Sequence, residues 1–201
     1  MVMKTQTDRL IQYVRRHGVI RPRDLDAIGV PRTVFKRLTD RGDLTRQARG
    51  IYTLPEYEPT HQIDLVTVCA RVPKAVVCLI SALEFHELTT QIPHAIWIMI
   101  SKTGHRPKIE QPPIRVVRAS GRSLTAGIKT HRIEGIAVRI TNPAKTVADC
   151  FKYRDHVGQD VAIEALRDCL RQRKATPAEL YEMAGINRTA GIIRPYIEAL
   201  T

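Results

Sequence analysis

Residues 21–55, RPRDLDAIGVPRTVFKRLTDRGDLTRQARGIYTLP, hold the signals that decide the fold of the N-terminal part. Pro22 suits a first helical turn, where its missing N–H would be unpaired anyway. Leu25 and Ile28 then face inward. Gly29 can take the positive φ that a sharp turn needs. Pro31 opens a second helix that should end near Arg41 and Gly42. Beyond it, Leu44–Ala48 and Ile51–Leu54 are short strand-like runs, with Arg49 and Gly50 between them as a hairpin turn. Pro55 closes the unit.

Upstream, residues 7–17 carry Leu10, Ile11 and Val14 on one stripe and stop at Gly18, so a helix precedes the quoted stretch. Val19 and Ile20 can form a short strand. Helix, short helix, glycine turn, helix, hairpin is the order of a winged helix-turn-helix.

The helix after Pro31 carries the functional argument. At 100° per residue, Val34, Phe35 and Leu38 share one side. Arg32, Thr33, Lys36, Arg37 and Asp40 occupy the other. In this motif the start of the second helix enters the major groove of DNA. Arg32, Thr33 and Lys36 would therefore lie nearest base edges, with Arg37 at the flank. Arg suits a bidentate contact with guanine, and Lys can also reach it. Arg46 and Arg49 on the hairpin, and Arg21 and Arg23 at the start of the short helix, are candidates for backbone phosphates. The alternatives are a solvated charged face or a protein-binding module. The excess of Arg over Lys favours nucleic acid, because phosphate and base recognition exploit the planar guanidinium.

Charge agrees. The chain of 201 residues has 32 Lys and Arg against 20 Asp and Glu, net +12, with 43% hydrophobic residues. The first 57 residues contribute 12 basic and 6 acidic side chains, a denser positive charge than the rest. Polyanions are the natural partners of such a chain. A purely disordered chain and a transmembrane helix are both excluded by the composition and by the lack of a long apolar run. The first residues lack the apolar core of a signal peptide. Cys69, Cys78, Cys150 and Cys169 form no C-x-x-C pair and sit in apolar runs, as reduced cysteines of a cytoplasmic protein would.

The remainder reads as a mixed α/β domain, so the fold class is α/β (α+β), with domains over 1–57 and 61–201 joined by the segment EYEPT. Helices are expected over 63–71, 81–88, 143–154, 159–171, 177–183 and 189–200. Strands are expected over 95–100 and 114–118, and a hairpin over 131–133 and 136–141. Residues 75–79 could be strand or helix start.

Catalytic signatures do not emerge. There is no Glu-x-Lys on a strand for a magnesium nuclease, no Gly-Ser with Asp-x-Asp, and no phosphate-binding glycine loop. His86 and His94 lack zinc spacing. Glu84, His86 and Glu87 are near in sequence, but on a helix only Glu84 and Glu87 are neighbours, and a capped helix end is the simpler reading. No catalytic residue, metal site or cofactor is expected.

Three longer pieces stand out together: RGIY at 49–52, SALEFHELTTQIP at 81–93 and NPAKTVADCFKYR at 142–154. With the quoted N-terminal stretch they resemble the AbiEi-type antitoxins, the type IV antitoxins of bacterial abortive-infection systems, from Leu10 to about Leu170. The resemblance implies a winged helix that represses its own operon at inverted repeats. It also implies a C-terminal domain opposing a toxin of nucleotidyltransferase type. Arg32, Lys36 and Arg37 fall where the family's recognition helix lies. Pro31 departs from the Ser that more often starts that helix. No motif marks antitoxin residues. Arg115, Arg118, Arg122, Lys129 and Arg132 are candidates that could equally contact flanking DNA. A winged-helix-targeted nuclease and a stand-alone regulator without a toxin are the competing readings. A palindromic site would bring two copies together, either as a dimer or as monomers meeting on DNA.

Overall fold

A computed structural model describes residues 5–58 and 62–201. The end of the expected linker, residues 59–60, and the expected start of the second domain at residue 61 lie outside the described residues. Contacts divide the chain into two units: residues up to Arg71 with Arg132–Ala137, and Val72–His131 with Val138–Thr201.

In the first unit, α1 spans Gln6–His17. Thr5 and Asp8 cap it reciprocally, side chain to backbone in both directions, which satisfies N–H groups that the first turn leaves unpaired. Gly18 ends it at φ 80°. The short second helix is not α-helical. Pro22–Asp24 and Asp26–Ile28 are two consecutive 3-10 turns. Seven residues between Arg21 and Gly29 are too few to sustain a run of α-helical hydrogen bonds, and the tighter i→i+3 pattern uses them better. Gly29 is left-handed, φ 66°, as the turn requires. α2, Arg32–Asp40, follows.

The wing is a two-stranded antiparallel hairpin, β1 (Thr45–Ala48) and β2 (Ile51–Thr53). Of the expected strand at Val19 and Ile20, only Ile20 bridges Tyr52. Leu10 and Val14 of α1, Leu25, Val30, Val34, Phe35 and Leu38 of the helical turn, and Leu44 and Leu54 around the wing form one core. Phe35 meets Tyr52 edge-on at 4.8 Å, so α2 and the wing are locked by one aromatic pair. Helix α3, Ile63–Arg71, has its expected bounds.

A five-stranded sheet of order β5-β4-β3-β7-β6 belongs to the second unit except for residues 132–137 of its last hairpin, which fall in the first. Its strands are β3 (Val76–Val77), β4 (Ile96–Ser101), β5 (Ile114–Ala119), β6 (Ile128–Ile133) and β7 (Ile136–Thr141). β3 pairs antiparallel with β4 and parallel with β7, and β4 pairs parallel with β5. Helices α4 (Leu79–Phe85), α5 (Arg122–Thr125), α6 (Pro143–Lys152), α7 (Arg154–Val157), α8 (Gln159–Arg171), α9 (Pro177–Asn187) and α10 (Ala190–Leu200) complete it.

Two expected helices need correction, and one helix was not expected. The helix expected over 81–88 starts at Leu79 and ends at Phe85, because His86 leaves helical geometry and Glu87 turns to φ 55°. The helix expected over 143–154 breaks at Tyr153, whose φ of -106° and ψ of 27° separate α6 from α7. α5 had no periodic signal because it is a single turn.

α6 is the centre of the second unit. Ala144 to Phe151 are all buried, charged residues included. Around it pack Leu79 and Leu83 of α4, Trp97 and Met99 of β4, Ala165 and Leu166 of α8, Leu180 and Ala184 of α9, and Ile193 and Ile197 of α10. All four cysteines are free and buried. Among the described residues no helix is long and apolar enough to cross a membrane.

Candidate nucleic-acid interface

The physical requirement for reading DNA with a helix is a rigid apolar side and a free polar side at the helix start. α2 meets it. Val34, Phe35 and Leu38 are buried, and Arg32, Thr33, Lys36 and Arg37 are exposed. Pro31 precedes the helix in extended geometry and supplies no side-chain cap, so the positive end of the helix dipole is not masked by a side chain. A recess of about 530 Å³ lies beside it, lined by Pro22, Arg23, Leu25, Arg32, Thr33, Phe35 and Lys36. Three cations thus ring an apolar floor.

The other expected contacts differ in how free they are. Arg21 is tied to Asp24 through Nε and Nη2 at 2.8 and 2.6 Å, with both side chains largely covered. Its charge is balanced within the unit. Arg23 donates from Nη2 to the Ala70 carbonyl at 2.9 Å, at the end of α3. Arg37 donates to Thr7 Oγ1 at 3.1 Å, which braces α2 against α1. Arg46 and Arg49 are exposed on the wing, and Arg46 makes only a long contact to the Ala48 carbonyl, 3.4 Å. Gly50, φ 79°, makes the wing turn beside Arg49.

The acidic and histidine side chains of residues 84–87 do not converge. His86 Nε2 lies 2.7 Å from the Thr141 carbonyl, and Glu87 pairs with Lys174 at 3.3 Å. Among the described residues no group of three or more His, Cys, Asp or Glu is placed to hold a metal ion.

One polar group of the second unit escaped sequence reasoning. Lys145 Nζ and Asn187 Nδ2 both donate to Asp149 Oδ1, the latter at 2.7 Å, and all three residues are buried. Burial pushes the Asp149 carboxyl above its ordinary range, against the pull of Lys145. The i, i+4 spacing of Lys145 and Asp149 was visible. The two charges share one face of an amphipathic helix, opposite Ala144, Val147, Ala148, Cys150 and Phe151, a pattern that reads as a solvated side.

Residues 8–55 match the AbiEi antitoxin family of transcriptional regulators. The matched segment is the winged helix just described, about a quarter of the chain. No curated protein matches the chain. Among solved structures, the crystal structure of the RV2827C protein from Mycobacterium tuberculosis superposes with a TM-score of 0.57 at 16% identity, over 92% of this chain and 72% of that one. At that identity the likeness concerns the fold alone.

Proposed function

We propose that the chain is a sequence-specific transcriptional autorepressor and the antitoxin of a type IV toxin–antitoxin pair, acting in the cytoplasm on an inverted repeat upstream of its own gene. Its second domain would oppose a toxin of nucleotidyltransferase type. The observation that supports DNA reading most is the exposed trio Arg32, Thr33 and Lys36 on the outer side of α2, opposite the buried Val34, Phe35 and Leu38. Arg37, Arg46 and Arg49 would anchor phosphates. Arg21 and Arg23, whose guanidinium groups already have partners, would orient the module more than bind.

Band-shift titration with the DNA upstream of the gene tests the first half. Replacing Arg32 and Lys36 together by Ala should abolish the specific complex, and unaltered binding would remove the assignment. The second half is tested by co-expressing the chain with its neighbouring gene and following growth. A neighbour that is harmless alone would sink the antitoxin role while leaving the repressor role in place.

A further inference from the structure

The winged helix does not present charge alone. Arg32 and Lys36 stand exposed on the outer side of α2, one turn apart. Both line the recess of about 530 Å³, but so do Pro22, Leu25 and Phe35, whose side chains are apolar. The guanidinium of Arg23, a further lining residue, is already engaged by the Ala70 carbonyl at 2.9 Å. The apolar lining is fixed before anything binds. Pro22 opens the 3-10 turn with a ring-locked φ. Leu25 is fully buried in the core, and Phe35 is held edge-on by Tyr52. A lining already ordered spares a ligand the cost of ordering it.

A gap between two packed elements is common and needs no occupant. This one opens beside the start of α2, the part that a helix-turn-helix turns towards base edges. A donor or acceptor pressed against the side chains of Pro22, Leu25 and Phe35 would lose water and gain no partner, at a cost in free energy. The major groove presents one apolar group, the C5-methyl of thymine. Its other base-edge features are hydrogen-bond donors and acceptors. An apolar lining on a reading face therefore has a single complement among the base edges.

We infer that this recess takes the C5-methyl of a thymine, so that Pro22, Leu25 and Phe35 read one base pair by apolar contact while Arg32 and Lys36 read its neighbours by hydrogen bonds. The inference rests on the reading of α2 as the helix that enters the groove, and it adds a named base to that reading. Arg32 lines the recess and is exposed, so the thymine lies beside the base pair that Arg32 contacts. The contact distinguishes thymine from uracil, which differ in the methyl and in no hydrogen-bonding group.

The test uses the full chain and the DNA upstream of the gene, with the bound site first located by footprinting. Each thymine of the site is replaced singly by deoxyuridine, and affinity is measured by anisotropy. At one position in each half-site the replacement should weaken binding about fourfold, the worth of one buried methyl. At that position 5-methylcytosine should bind about fourfold more tightly than cytosine. Pro22→Ser places a hydroxyl in the lining at a partly exposed site, and should bind the thymine and uracil sites alike. The deoxyuridine scan needs no variant, so it decides the matter even if Pro22→Ser does not fold. A scan in which no thymine responds overturns the inference. So does a response that persists undiminished in folded Pro22→Ser, which would trace it to the stiffness of the DNA. A flat scan with binding still lost in Arg32→Ala/Lys36→Ala removes the methyl contact alone. Full binding by Arg32→Ala/Lys36→Ala removes the winged-helix reading and this inference with it.

Discussion

Lys145 and Asp149 form an ion pair in which each side chain is 1% exposed. One turn of α6 places them together, and Asn187 of α9 reaches the same carboxyl oxygen. Asp149 Oδ2 and Asn187 Oδ1 are buried and have no hydrogen-bond partner among the described residues. The group therefore ties α6 to α9 at a considerable desolvation cost. Removing one partner strands a charge. Asp149→Ala should destabilise the second unit by about 3–5 kcal/mol, whereas replacing the pair with Met and Leu should be close to neutral. Trp97 is the single tryptophan and is buried in β4, so its fluorescence in a urea titration reports this unit. Equal losses in the single and double variants would contradict the account.

Gly127 lies beside the same pair. Its φ is 62°, and a Cβ there would stand 2.7 Å from Lys145 Cβ and 3.1 Å from Met183 Sδ. Gly127→Ala should combine left-handed strain of about 1–2 kcal/mol with overpacking of about 1–3 kcal/mol. Gly50 in the wing turn has φ 79° and nothing within 4 Å of an added Cβ, so Gly50→Ala should cost only the strain. Thermal unfolding followed by circular dichroism should rank Gly127→Ala clearly below Gly50→Ala.

His86 gives the fold a pH dependence of known sign. Its Nε2 faces the Thr141 carbonyl, which can only accept, so Nε2 carries hydrogen and acid conditions must protonate Nδ1. Burial lowers its pKa from 6.5, and His131, Lys174 and Lys129 push in the same direction, against the Thr141 hydrogen bond. The neutral form is thus favoured in the folded chain. Its stabilisation is fully present above pH 6.5 and is lost as pH falls below that value. Asp149, whose pKa is raised from 3.8, acts with the opposite sign, so the contrast must be between variants. Wild type should lose more melting temperature than His86→Gln between pH 7.5 and 5.5, a window of about one unit each side of the ordinary histidine value. Parallel curves would show that His86 is not the group responsible.

Helix α2 was legible in the sequence because apolar and polar residues alternate with a clean helical period around Val34, Phe35 and Leu38. Pro31 and Gly29 marked its approach. The segment before it was legible as a short helix but not as 3-10, since Pro22, Leu25 and Ile28 fit a 3-10 turn as well as an α turn. Residues 63–71 of the first unit and 159–171 of the second were read to the residue because their apolar stripes are long. Strand order was not legible. It depends on β3, two residues long, which pairs antiparallel with one neighbour and parallel with the other. At the site, sequence could pick out the arginines but not their partners. Asp24 neutralises Arg21 three residues away, whereas the Ala70 carbonyl comes to Arg23 from 47 positions along the chain.

Those partners separate the arginines of the winged helix by experiment. Arg32, exposed at the start of α2, would contact a base edge. Arg32→Ala should cost about 1–3 kcal/mol on the specific site and relax preference at one position. Arg49, exposed at the wing tip, would contact phosphate. Arg49→Ala should weaken all sequences alike and lower the salt slope by about 0.9. Arg21 is already neutralised by Asp24, so Arg21→Ala should leave the slope where it is while loosening the turn that Asp24 caps. Anisotropy titrations of the three variants across salt, on the upstream fragment and on a scrambled duplex, give three distinct signatures. A slope lost with Arg21 and kept with Arg49 would reverse the roles assigned to the two residues.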